Sequence, residues 1–193
     1  MNRIVHQQQD FDIYNLLAPE TKLEQQLLSF PEFQEGLNWG IPRYGHPEGK
    51  VGLHIREVLN NIDQFAKCAT QRAQLRLIAF VHDTFKYLED TKRQPRDWSK
   101  HHGVYARRYL ERFTNDESLL DIVELHDEAY YIWRDAKSQQ GQSAAHIRLE
   151  KLQNRIHNNM PLYFAFFLCD TKTGDKNQAP LEWFTKVVSK GQQ

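Results

Sequence analysis

Residues 75–87 read LRLIAFVHDTFKY, an apolar run that ends abruptly in His82-Asp83, with Lys86 three residues further on. Leu75, Ile78, Ala79 and His82 fall at i, i+3, i+4 and i+7, so the imidazole lies on the apolar stripe of a helix. Asp83 stands beside it at the helix end. A buried carboxylate without a partner costs several kcal/mol or forces a shift in its pKa. The same anomaly recurs along the chain. His54 lies on a stripe with Val51, Ile55, Val58, Ile62 and Phe65, and His126 shares a face with Leu119, Ile122, Val123, Tyr130 and Trp133. His102 stands beside Tyr105, Ala106 and Tyr109, and Asp170 follows Leu162, Tyr163, Phe166 and Phe167. One histidine of this kind is ordinarily satisfied by a carbonyl. Several buried imidazoles with two buried carboxylates are satisfied together by a divalent cation, to which both donate lone pairs.

The elements that must carry these groups read as helices throughout. Phe11, Tyr14, Leu17 and Ala18 line a short amphipathic segment. Pro19 opens a helix to about residue 30, and Pro31 opens another turn ending near Gly36. The stretch IPRYGHPEG, 41–49, is punctuated as a loop. Helices follow over about 50–69, 72–83, 101–113 and 116–137, the last capped by Asp116. A polar loop at 88–100 and a second loop at KSQQGQSAA separate some of them. Further helices are expected over 144–157, from Pro161 to about Gly174, and over 181–190. No alternating strand pattern stands out. The expected fold is all-α, one helical bundle of about eight to ten helices, with residues 1–45 as an N-terminal helical arm or lid and 46–193 as the metal-binding domain. Ligands on separate helices of a bundle can converge inward.

Composition bounds the function. The 193 residues suffice for one sizeable core, and 40% are hydrophobic. Lys+Arg and Asp+Glu stand at 25 each, so no basic tract argues for nucleic acid. Two cysteines, Cys68 and Cys169, are too few for a disulfide framework. The N-terminus lacks an apolar signal core and no run reaches membrane-spanning length, so a cytoplasmic protein without a membrane partner is expected. A homo-oligomer is compatible with all of this.

The ordered set resembles the HD-domain metal-dependent phosphohydrolases. HDTFK, 82–86, is similar to that family's His-Asp-x-x-Lys signature, although no Gly precedes the lysine. HGVYARRYL, 102–110, and VELHD, 123–127, resemble the segments that supply extra histidines in two-metal members. LCD, 168–170, resembles the segment of the last aspartate. The resemblance spans about residues 45–175 and implies His54, His82, Asp83 and Asp170 as core metal ligands. His102 and His126 would complete a second position that Asp83 can bridge. His101 competes with His102; the offsets to Ala106 and Leu110 favour His102 and leave His101 as a solvent-facing neighbour. One or two divalent ions are implied, drawn from Fe, Mn, Mg, Co, Ni or Zn.

The implied chemistry is hydrolysis of a phosphomonoester or nucleotide-type phosphoester by metal-activated water, with Asp83 and Lys86 as the catalytic pair. The implied partner is a small phosphorylated substrate, such as a nucleotide. Arg43, Arg56, Arg107 and Lys172 are candidate phosphate contacts, and Tyr44, Tyr130 and Trp133 candidate base-stacking groups. Asp127 either orients a ligand or is an exposed helix carboxylate. His6, His46, His146 and His157 are read as surface residues, and Cys169 as packing. Two other readings compete: a di-iron oxygenase on the same fold, and a non-catalytic metal-binding regulatory module.

Overall fold

A computed structural model of the protein describes residues 12–91 and 95–190. Phe11 and His6 lie outside the described residues, as do positions 92–94 of the expected polar loop. The chain runs α1 (Ile13–Leu17), α2 (Lys22–Leu28), α3 (Pro31–Asn38), α4 (Val51–Phe65), α5 (Ala69–Val81), α6 (His102–Leu110), α7 (Glu117–Leu125), α8 (Glu128–Ala136), α9 (Gln142–Ile156), α10 (Met160–Thr171) and α11 (Ala179–Lys190). Short 3-10 turns stand at 86–88, 98–100 and 157–159. Among the described residues the only β feature is an isolated bridge between Arg43 and His46. The protein is all-α. Among the described residues eleven α-helices are present, close to the about eight to ten expected, and the expected 116–137 helix is two, α7 and α8.

α10 is the element around which the others pack. Its Leu162, Tyr163, Phe166, Phe167 and Cys169 are buried on several sides, as expected of a helix apolar nearly all round. It lies against α4, α5 and α11. α4 buries Val51, Ile55, Val58, Leu59 and Ile62 along one stripe, and His54 is buried with them. The expected single span to residue 69 stops at Phe65, because Ala66 and Cys68 adopt extended backbone and Cys68 instead precedes α5.

The first three helices share this core, contributing Leu17, Leu27, Leu28, Phe33 and Leu37. α2 starts later than Pro19 suggested. Thr21 is its N-cap and forms a reciprocal capping box with Glu24, which satisfies two orphan backbone donors at once. The buried Glu24 carboxylate also accepts from Arg76 Nε at 3.0 Å, tying α2 to α5. α3 approaches the segment after Asp83 very closely: a Cβ at Gly36 would stand 1.8 Å from the Thr84 carbonyl oxygen. No helix among the described residues is long and apolar enough to cross a membrane.

Candidate metal centre

Three adjacent residue pairs deliver most of the site, and each sits at a helix end. His82 caps the C-terminus of α5 and Asp83 follows it. His101 caps the N-terminus of α6 and His102 is its first residue. His126 caps the C-terminus of α7 and Asp127 precedes α8. His54 from α4 and Asp170 from α10 complete the group.

The donors form two clusters that meet at Asp83. His54 Nε2 lies 2.8 Å from Asp170 Oδ1 and 3.6 Å from Asp83 Oδ2. His82 Nε2 lies 3.5 Å from Asp83 Oδ2 and 3.8 Å from Asp170 Oδ1. On the other side, His102 Nε2 and His126 Nε2 each lie 3.3 Å from Asp83 Oδ1, and 3.1 Å from one another. Asp83 thus turns one oxygen to each cluster, the arrangement of a bridging carboxylate. All six sequence-predicted donors are brought together, and Lys86 joins them through an ion pair with Asp83 Oδ2.

The backbone and outer carboxylates set which imidazole nitrogen carries a lone pair. His82 Nδ1 faces the Ala79 carbonyl and His126 Nδ1 the Val123 carbonyl, both at 2.8 Å. His102 Nδ1 faces Glu89 Oε2 at 2.6 Å. Each Nδ1 therefore donates its proton outward and leaves Nε2 turned inward, where an ion could take its lone pair. The Nε2 atoms of His102 and His126 face each other at 3.1 Å. His82 Nε2 and Asp83 Oδ1 are buried without any hydrogen bond. Buried polar atoms are ordinarily satisfied. A divalent ion is the species that these inward acceptors fit, since it accepts from N and O donors together.

The same neighbours set the electrostatics of the site. Burial pushes His82 down to about 3. Burial opposes charge on His126 too, yet Asp127 and Asp83 raise it to about 9. Asp83 and Asp170 are held well below the usual carboxylate range despite burial, Asp83 by His82 and Lys86, Asp170 by Lys176 and His54. Lys176 donates to Asp170 Oδ1 at 2.9 Å.

Several neighbours escaped the sequence reading. Glu89 was placed in a polar loop, yet it fixes His102 and ion-pairs with Arg96. Glu48 approaches His54 Nδ1 at 3.4 Å and His46 Nδ1 at 2.9 Å. No periodic signal marks either glutamate, because both lie outside the helices. His101 is not solvent-facing; it is 5% exposed. Its Nδ1 accepts from the Gly103 N–H at 3.1 Å and its Nε2 faces Tyr131 Oη at 3.2 Å, so both ring nitrogens are engaged, with Nε2 also 3.7 Å from Asp127 Oδ2. His46 is partly buried in the cavity wall rather than a surface residue. Asp127 points inward, its Oδ2 3.4 Å from His102 Nε2.

The clusters open into a cavity of about 430 Å³ lined by Arg43, Lys86, Arg96 and Lys176, with Trp39, Tyr44 and Tyr130 among its aromatic residues. Arg56, Arg107, Lys172 and Trp133 do not line it. Arg107 pairs with Glu117 and Asp121, and Arg56 hydrogen-bonds Asn60. Trp133 is buried. His146 stands on the surface beside Glu150, and Cys169 is packed in the core.

The family model of the HD domain matches residues 51–153. The chain belongs to the HD-domain family. Five of the six candidate ligands lie in the matched part of this HD domain, whereas Asp170 is supplied by α10 beyond it. Neither the curated proteins nor the solved structures give a match.

Proposed function

We propose that this HD-domain protein is a metal-dependent phosphohydrolase acting on a phosphomonoester or a nucleotide-type phosphoester. The observation that carries the reading is the position of the two Asp83-linked clusters in a cavity that also presents Arg43, Lys86, Arg96 and Lys176. Inward lone pairs suit a cation, and four basic side chains around them suit a phosphoryl group. The cavity volume suits a small molecule, for which sites span roughly 300–1,000 Å³.

His54, His82, Asp83 and Asp170 would hold one ion, and Asp83, His102 and His126 a second. A bound divalent ion lowers the pKa of water and withdraws charge from phosphoryl oxygens. Asp83 orders the two clusters about one carboxylate. Lys86 and Lys176, already paired with Asp83 and Asp170, turn toward phosphoryl or leaving-group oxygens when substrate supplies competing anions. Arg96 is held by Glu89 and by Tyr131 Oη at 2.9 Å, which keeps its guanidinium in the wall of the cavity. Arg43 carries no side-chain ion pair among the described residues and can meet a more distant charge. Tyr44, 82% exposed, offers a face to a planar base. On this reading the described part of the N-terminal segment, residues 12–45, closes one side of the cavity through Trp39, Arg43 and Tyr44.

The test is phosphate release from a panel of phosphomonoesters and nucleotides with Mn²⁺, Co²⁺ or Mg²⁺. Release that disappears in Asp83→Ala supports the proposal. Metal-loaded protein that releases no phosphate but turns over with O₂ would replace it with an oxygenase.

A further inference from the structure

We propose that Asp127 is a fourth protein donor of the His102–His126 position, and that this position binds its ion more tightly than the His54–His82–Asp170 position. The inference rests on the metal-binding reading above. Two ligands at about 2.1 Å from one ion lie roughly 2.9–3.4 Å apart, between the octahedral and tetrahedral limits. The His102–His126, Asp83–His102 and Asp83–His126 separations of 3.1, 3.3 and 3.3 Å fall in that range. Asp127 Oδ2 stands 3.4 Å from His102 Nε2 and 3.8 Å from His126 Nε2, so a small side-chain adjustment brings it into the same shell.

The two positions differ in what already occupies their oxygens. Asp83 Oδ2 is paired with Lys86, and Asp170 Oδ1 with Lys176. An ion entering there must displace two ammonium groups. On the other side, Asp83 Oδ1 is buried without a hydrogen bond, and among the described residues no lysine or arginine pairs with Asp127. Its imidazoles are also held, His102 by Glu89 and His126 by Val123, with Nε2 of each already turned inward. Preorganised donors with no ion-paired ammonium bind more tightly than donors that must first release one.

The experiment is titration of the metal-free full chain with Co²⁺, followed by visible absorption and by competition with a chelator. The parent should bind in two stages. Asp127→Ala, folded by circular dichroism, should weaken the first stage at least tenfold and change its absorption. Asp127→Asn, which keeps an oxygen donor without charge, should fall between the two. His54→Ala should keep the first stage and lose the second. An Asp127→Ala protein whose first stage matches the parent in affinity and spectrum would overturn the Asp127 assignment while leaving the proposed function standing. Loss of the first stage in His54→Ala would overturn the order of affinity. A parent chain that binds no Co²⁺ at all would remove both this inference and the proposed function.

Discussion

At the scale of single residues, the site works by assigning each polar atom one direction. Asp83 is the group on which both clusters depend, since each takes one of its oxygens. Asp83→Ala should therefore empty both positions; elemental analysis of the purified variant checks this, and full metal occupancy would refute the bridging role. His126→Ala touches one cluster only and should lose a single equivalent. Glu89 acts at one remove, by holding the His102 Nδ1 proton. Glu89→Gln should lower affinity at that position by about 10–100-fold, the usual cost of removing an outer partner of a metal-binding histidine. Chelator competition reads that loss, and an unchanged affinity would leave Glu89 only its ion pair with Arg96.

At the scale of elements, helix ends place the chemistry and neighbouring helices hold those ends. Tyr163 of α10 is fully buried, accepts from the Ala129 N–H and donates to the Leu125 carbonyl, both at 3.0 Å. It thereby satisfies the backbone groups exposed where α7 gives way to α8. Tyr163→Phe leaves those groups buried and unpaired, which should cost about 1–3 kcal/mol in denaturant unfolding. The same variant should bind less metal at the His126 position, because Tyr163 holds the backbone of the segment that carries His126 and Asp127. Gly36 does the corresponding work on α3. A Cβ there meets backbone at Thr84, which cannot give way as a side-chain tip can. Gly36→Ala should destabilise the fold by about 1–3 kcal/mol, the cost of overpacking, and shift the turn that carries Asp83. Thermal unfolding with and without metal separates the two effects.

At the scale of the whole molecule, candidate ligands from α4, from the ends of α5, α6 and α7, and from α10 would make metal binding a cross-link through the core. An ion that binds only the folded chain stabilises it by mass action, about 2.7 kcal/mol at a hundredfold excess over Kd. For a chain of this size that corresponds to roughly 5–10 °C in Tm. Calorimetry of the full chain before and after chelation should show a fall of that order, recovered on adding the ion back. An identical Tm in both states would mean that the clusters hold no ion.

The sequence by itself determined the all-α class and set His54, His82, His102, His126 and Asp170 on apolar faces, because a polar residue on a helical apolar stripe is visible from periodicity alone. It determined the helix end at His82-Asp83 for the same reason: the apolar run stops there. The split between α7 and α8 was invisible, since Leu119, Ile122, Val123, His126, Tyr130 and Trp133 keep helical spacing straight across it. Only the tertiary structure decided that break, because the hydroxyl that satisfies its backbone comes from Tyr163, 37 residues after His126. The preference for His102 over His101, read from sequence offsets, gained its physical reason only in the tertiary structure. It turned on the Gly103 N–H and Tyr131 Oη engaging the nitrogens of His101, while Glu89, from a loop with no period, oriented His102. Periodicity reports which face of a helix a residue occupies; which atom of that residue is free to bind is settled by partners far along the chain.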